Sequence, residues 1–245
     1  MSARTLNQII EHGQGQDPAI VVPGGIRLTY AELREQVART ADRLAQLGLD
    51  RGDRIALVLP NSAETIVLFL AAATVGTAAP LNHAYKEEEF RFYLDDIAAT
   101  ALVVGPRQGE AARRALPSGA RLIEASFDER GRILLETASH TDTSRASTSP
   151  TDDDVALVLH TSGTTSWPKL VPLKQSNLFA SAENIARTYN LAPDDIALCV
   201  MPLFHIHGLM ASTMAASRNA CREPRRWEST RPRCCRTSRP ASRSR

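Results

Sequence analysis

The chain has 245 residues, 43% of them hydrophobic and 23% charged, with 29 Lys plus Arg against 27 Asp plus Glu and a formal net charge of +2. That composition is globular and excludes a chain disordered throughout. Its longest nearly uninterrupted apolar stretch, Ile66 to Ala79, is 14 residues long. A bilayer span needs roughly 20, and MSARTLNQIIEHG lacks the basic cluster, apolar run and cleavage site of a secretory leader, so a soluble, cytoplasmic protein is expected.

Ala19–Val22 and Ile26–Leu28, around Pro23-Gly24-Gly25, read as two short strands about a turn. Thr29 and Glu32 have the spacing of a capping box. They precede Leu33, Val37, Ala41, Leu44 and Leu47 at helical intervals, and Gly48 ends that helix. A strand at Arg54–Leu59 follows, and then a second helix with Asn61 as its expected N-cap and Glu64 at the third position. Ile66, Val67, Phe69, Leu70 and Ala73 leave that helix few polar positions, which predicts burial on several sides. Gly76 stops it, and Ala79–Leu81 is extended. Glu87 to Leu94 is helical, its Glu87-Glu88-Glu89 suited to a first turn by the helix dipole. Ala101–Val104, bounded by Gly105-Pro106, has strand length.

This alternation predicts an α/β fold, a mostly parallel sheet with helices on both faces, in which ligands gather where strands end and helices begin. Residues 137–154 form a Ser/Thr/Asp-rich connection, read as a surface loop or linker with Asp152-Asp153-Asp154 as a solvated run. Beyond it come a strand at Val155–Leu159, a polar loop, an extended Leu170–Leu173 and a helix from about Ser176 to Tyr189. A turn at Pro193-Asp194-Asp195 then leads to a strand, Ile196–Met201, on which Cys199 is expected to be buried. No disulfide framework and no repeat is implied.

Residues 217–245 are a different material. They hold ten Arg, no Lys, and only Glu223 and Glu228 as acids, a charge of +8 against −6 for residues 1–216. They hold three of the four Cys and no Leu, Ile, Val or Phe, so they offer no face to a core. In residues 1–216 Arg outnumbers Lys 16 to 3, as a GC-rich gene produces. Such a gene read out of frame tends to Arg, Pro, Ser, Ala and Cys. The expected organisation is therefore a partial domain over residues 1–216 and a disordered, out-of-frame tail over 217–245. A basic arm binding nucleic acid or another anionic surface is the alternative.

The chemistry is concentrated in Leu159-His160-Thr161-Ser162-Gly163-Thr164-Thr165-Ser166-Trp167-Pro168-Lys169. The loop follows a strand and packs hydroxyls, a glycine and a lysine together. Gly163 can turn consecutive N–H groups inward as an anion nest, the hydroxyls donate further hydrogen bonds, and Lys169 brings a mobile positive charge. Phosphate is the natural ligand of such a loop. Two familiar phosphate loops do not fit: the spacing from Gly163 to Lys169 is not G-x-x-x-x-G-K-[ST], and Gly13-Gln14-Gly15 runs on to Pro18 where a dinucleotide fingerprint needs glycine.

Thr161-Ser162-Gly163-Thr164-Thr165 followed by Pro168-Lys169 resembles the phosphate loop of the adenylate-forming superfamily, which includes the acyl-CoA synthetases. Met201-Pro202-Leu203-Phe204-His205-Ile206-His207-Gly208 is similar to the next motif of that superfamily. Leu28-Thr29-Tyr30-Ala31-Glu32-Leu33, Gly52-Asp53-Arg54-Ile55-Ala56 and Pro80-Leu81-Asn82 are similar to its opening segments. Ser166 stands where the superfamily usually has glycine, and Leu170 where it often has a second one. The motifs look most like the oxalyl-CoA synthetase branch.

The resemblance implies the N-terminal domain of an acyl-CoA synthetase and a two-step ligase. A carboxylic acid attacks the α-phosphate of ATP, and coenzyme A then takes the acyl group from the acyl-adenylate. It assigns Thr161 to Mg²⁺, Ser162, Gly163, Thr164, Thr165 and Lys169, together with Thr161, to the nucleotide phosphates, and His205 to the acyl pocket. As an ordinary residue His205 would be a strand-end histidine satisfied by backbone, and His205-x-His207 lacks the acid or cysteine that would complete a zinc set. Residues 209–216 look like the start of another helix. The adenine-contacting segment, acidic Mg²⁺ partner, ribose-binding aspartate, hinge and catalytic lysine of the superfamily have no counterpart here. The expectation is a truncated fragment with little or no activity alone, its unpaired strands favouring aggregation. The alternative is a non-catalytic nucleotide-binding remnant.

Overall fold

The computed structural model describes residues 4–128, 131–137, 146–161, 168–192 and 195–217. The tail from 218 onward lies outside the described residues, as do Pro193 and Asp194 of the expected turn. In chain order the elements are α1 (Leu6–Glu11), β1 (Pro18–Val21), β2 (Arg27–Thr29), α2 (Tyr30–Gln46), β3 (Arg54–Val58), α3 (Ala63–Val75), β4 (Thr77–Pro80), α4 (Glu87–Asp96) and β5 (Ala101–Val104). Then come α5 (Glu110–Arg114), β6 (Arg121–Phe127), β7 (Ile133–Thr137), β8 (Val155–Thr161), β9 (Lys169–Lys174), α6 (Gln175–Thr188), a π-helical stretch at His207–Met214 and α7 (Ala215–Ser217).

Strands β1 and β2 form a small antiparallel pair, and the other seven form one sheet in the order β7-β6-β5-β3-β4-β8-β9. The five inner strands are parallel, whereas β7 and β9 lie antiparallel at the two edges. Alternate residues of the inner strands feed two separate cores. Ile55, Leu57, Ala101 and Val103 pack with α1, α2, α3 and α6. Ala56, Val58, Leu102 and Val104 pack with α4 and α5 on the opposite face. Strands apolar on both faces are what a parallel sheet covered by helices requires, so the expected α/β architecture is present.

The local signals behave as their chemistry dictates. Thr29 Oγ1 accepts from the Glu32 N–H at 3.2 Å while Glu32 Oε2 accepts from the Thr29 N–H at 2.8 Å, a reciprocal capping box. α3 is buried on every side, and Gly76 ends it. An added Cβ at Gly76 would sit 2.6 Å from Asp53 O and 2.7 Å from Asp50 O, so only glycine admits this approach.

Three expectations are corrected. The N-cap of α3 is Ser62, whose hydroxyl accepts from the Thr65 N–H at 3.3 Å; Asn61 is engaged elsewhere. Ile196–Met201 belongs to no strand: no neighbouring strand among the described residues pairs with its backbone. Its Ile196, Leu198 and Val200 are 84%, 75% and 72% exposed, and Cys199 is only partly buried. Asp152-Asp153-Asp154 lies at the surface, the Asp153 side chain 86% exposed, and its carboxylates make surface contacts. Asp152 accepts from the Arg4 N–H at 2.6 Å, Lys174 meets Asp153 at 2.8 Å, and Asp154 accepts from the Thr151 N–H at 2.7 Å. In the connection before it, Ser147 donates through both its N–H (3.0 Å) and its hydroxyl (2.7 Å) to Asp42.

Candidate functional site

The polar loop joins two paired strands in sequence. β8 and β9 run antiparallel, and Thr161 is paired with Lys169 as the last registered couple before the loop. Ser162, Gly163, Thr164 and Thr165 lie outside the described residues, so the described site is its two ends: a hydroxyl and an ammonium group brought opposite each other, both residues exposed. The sequence makes this hairpin for simple reasons. Val155–Leu159 is apolar enough to enter the sheet, while β9 carries Pro172, which has no N–H to offer a further strand and so suits an edge. β8 meets β4 in registered pairing only at Ala78 and Leu157, so its last residues reach beyond the parallel sheet. Within that projecting part His160 turns its ring toward α4, where Nε2 lies 2.8 Å from Asp96 Oδ2.

The second motif is hung on the same end of the sheet. Asn61 follows the C-terminal end of β3, and its Nδ2 donates to Met201 O at 2.9 Å while its Oδ1 accepts from the Leu203 N–H at 2.8 Å. From there the chain turns tightly. The His205 N–H donates to Pro202 O at 3.1 Å, and an added Cβ at Gly208 would lie 2.3 Å from that same oxygen. The Phe204 ring packs against His205 at 4.7 Å and edge-on to His83, just past β4, at 6.3 Å. His205 itself is exposed. β3, β4 and β8 are parallel neighbours, so Asn61 and His83 lie just beyond the C-terminal ends of β3 and β4, and Thr161 is the C-terminal residue of β8 beside them. The two motifs, 40 residues apart at Thr161 and Met201 in the chain, thereby share the edge at which α/β sheets bind ligands.

A cavity of about 240 Å³ lined by Leu49, Arg51, Val75 and Ser147 opens at the opposite, N-terminal ends of β3 and β4. It is remote from both motifs and is not the site. Burial and the neighbouring Tyr93 push the Tyr85 hydroxyl far above its ordinary range, so it stays neutral. Among the described residues no group of three or more His, Cys, Asp and Glu is placed to hold a metal ion. Thr161 offers one exposed hydroxyl. That suits Mg²⁺ only as part of a shell completed by phosphate oxygens and water, the usual way this ion is held at nucleotides.

Two residues carry geometry that sequence reasoning missed. Asn61 was masked by its neighbour Ser62, since both are N-cap types and one position apart. His160 stood inside the loop motif, but its partner Asp96 is 64 residues away and nothing local ties the two together.

The model of the AMP-binding enzyme family matches residues 10–231. Among curated proteins, the chain is 41% identical over 211 residues to the "Probable CoA ligase CCL9" of Humulus lupulus, covering 81% of this chain and 39% of that protein. It is 38% identical over 226 residues to the oxalate–CoA ligase of Arabidopsis thaliana, covering 88% and 44%. Among solved structures, ATP-bound MatB from Rhodopseudomonas palustris superposes with a TM-score of 0.73 at 27% identity, covering 89% of this chain and 44% of that one. The chain thus spans about two fifths of the length of the curated relatives it matches.

Proposed function

The chain belongs to the AMP-binding enzyme family, and from that premise we propose that the hairpin between Thr161 and Lys169 grips the triphosphate of ATP during the activation of a carboxylic acid. A carboxylate oxygen attacks the α-phosphorus, pyrophosphate leaves, and an acyl-adenylate forms. The sulfur of coenzyme A then attacks the acyl carbon, forming the thioester and releasing AMP. Ser162, Gly163, Thr164 and Thr165 donate amide and hydroxyl hydrogen bonds to the β- and γ-phosphates, and Lys169 adds its charge opposite them. Thr161 takes part in the same grip and would supply one ligand to Mg²⁺, which when bound neutralises charge on the phosphate oxygens. His205, exposed beside Phe204 and His83, lines the acyl pocket. In such transfers the protein acts chiefly by position and by stabilising developing charge.

The observation that carries this reading is the pairing of Thr161 with Lys169 at the end of β8, on the ligand-binding edge of the sheet. It is tested by calorimetric titration of ATP into the chain and into Lys169→Ala. The variant is expected to bind about ten-fold more weakly, the loss of one charge-assisted contact; equal affinity removes Lys169 from the site.

Turnover by the chain alone is expected to be slight, because Ile196, Leu198 and Val200, just before the second motif, stand uncovered. Carboxylate-dependent pyrophosphate–ATP exchange measures this, and the similarity to an oxalate–CoA ligase makes oxalate the first acid to try. Exchange at the rate of a full-length ligase would contradict the expectation.

A further inference from the structure

We propose that the hydrogen bond from His160 to Asp96 is a positioning device that sets the entry of the phosphate-gripping loop, an inference that rests on the reading of that loop given above. The need for such a device follows from the topology. Val158 to Thr161 run beyond the registered pairing with β4, leaving β9 as their strand partner, and β9 is the last strand of the sheet. A two-stranded ribbon is marginal by itself, yet the loop at its tip must aim several donors at one ligand.

His160 is placed to steady it. It immediately precedes Thr161 and is in register with Leu170. Its side chain is 8% exposed and that of Asp96, the last residue of α4, 40%. A carboxylate only accepts, so the His160 Nε2–H donates to Asp96 Oδ2 across 2.8 Å. The ring lies edge-on to Tyr93 at 4.6 Å, and Tyr93 is stacked on Tyr85 at 4.8 Å. Among the described residues this is the side-chain hydrogen bond that joins residues 157–161 and 169–173 to the helical layer. Val158 and Leu170 pack against the same layer, but apolar contact has no direction. A hydrogen bond does, and it fixes the rotation of β8 about its own axis one residue before the chain turns into the loop. Removing the acceptor would leave the ring N–H buried and unpaired.

Because Asp96 is partly exposed, Asp96→Ala perturbs the fold less than a change at His160, and Asp96→Asn retains an oxygen acceptor. In the full 245-residue chain, ATP affinity is measured by calorimetry and amide hydrogen exchange is followed at residues 157–161 and 169–173, with α3 as the internal reference. For Asp96→Ala we expect exchange in the ribbon to rise by about ten-fold and ATP to bind about ten-fold more weakly, with α3 unchanged and Asp96→Asn recovering most of both. Unchanged ribbon exchange in Asp96→Ala overturns the proposal. So does faster exchange with unaltered ATP affinity, equal loss in both variants, or α3 loosening in parallel. If the wild-type chain binds no ATP while the ribbon responds as expected, the tether stands and it is the assignment of the loop to ATP that fails.

Discussion

Asn61 holds Leu203 in place from 142 residues away: its Oδ1 accepts the Leu203 N–H at 2.8 Å, and its Nδ2 reaches the carbonyl of Met201, two residues earlier, at 2.9 Å. The short amide fork, a donor and an acceptor on one carbon, bridges the two sides of Pro202. Asn61→Ala is expected to cost about 1–2 kcal/mol and to speed exchange of the Leu203 amide, while α3 keeps its Ser62 cap. Asn61→Asp should not restore stability, because it replaces the donor with a second oxygen facing the Met201 carbonyl. Urea unfolding of the three proteins checks this, and a fully stable Asn61→Ala would show that the two bonds contribute nothing.

Gly208→Ala should be among the most damaging single-methyl changes in the chain. The new carbon would lie 2.3 Å from Pro202 O and 2.9 Å from Met201 O, both backbone atoms that move only with the motif. A loss of about 2 kcal/mol or more is expected. Gly52→Ala is the control, since its nearest neighbour, Asp50 Oδ1, is 3.7 Å from the added carbon, and it should change stability by no more than about 0.5 kcal/mol. Equal effects of the two substitutions would refute the steric argument.

The capping box at the start of α2 makes stability depend on acid. Hydrogen bonds from the Thr29 backbone and then from its hydroxyl hold the Glu32 carboxyl below its ordinary range. A depressed folded-state value means that the contribution is complete above the unfolded value of about 4.3 and is lost as pH falls through the folded one. The stability difference between the wild type and Glu32→Gln should therefore be present at pH 7 and shrink below about pH 4.3. Thr29→Ala is expected to cost about 1 kcal/mol. A difference that stayed constant from pH 7 to acid would exclude the ionised capping box as its source.

Ile196, Leu198 and Val200 are exposed on a segment that pairs with no strand among the described residues. Such a row is a site for non-specific association. Replacing all three with Thr keeps a residue suited to extended backbone but removes apolar surface. Light scattering should show less concentration-dependent association, and the unfolding temperature should stay within a few degrees because little burial is lost. Unaltered scattering would place the sticky surface elsewhere.

The features legible in advance were those whose physics is local. Thr29 and Glu32 cap α2 by contacts three residues apart, the apolar run of α3 demands burial whatever surrounds it, and Ala101–Val104 is extended because its branched side chains suit a buried strand. β6 and β7 were not foreseen, since RLIEASF and ILLET alternate too weakly to stand out until each is hydrogen-bonded to the other. Ile196–Met201 failed in the opposite sense: its six residues form an unbroken apolar run of strand length, but a strand exists only where a second backbone completes it.

The residue types able to grip phosphate, from Thr161 to Lys169, were decided by the sequence, because hydroxyls, a glycine and a lysine have that chemistry in any loop that gathers them. What the chain order left open was their support. That Asn61 would hold Met201 and Leu203, that His160 would meet Asp96, and that a cavity would open at the far end of the sheet are consequences of which strands become neighbours. Strand order is settled by burying two cores at once, a property of the whole chain that no window of residues contains.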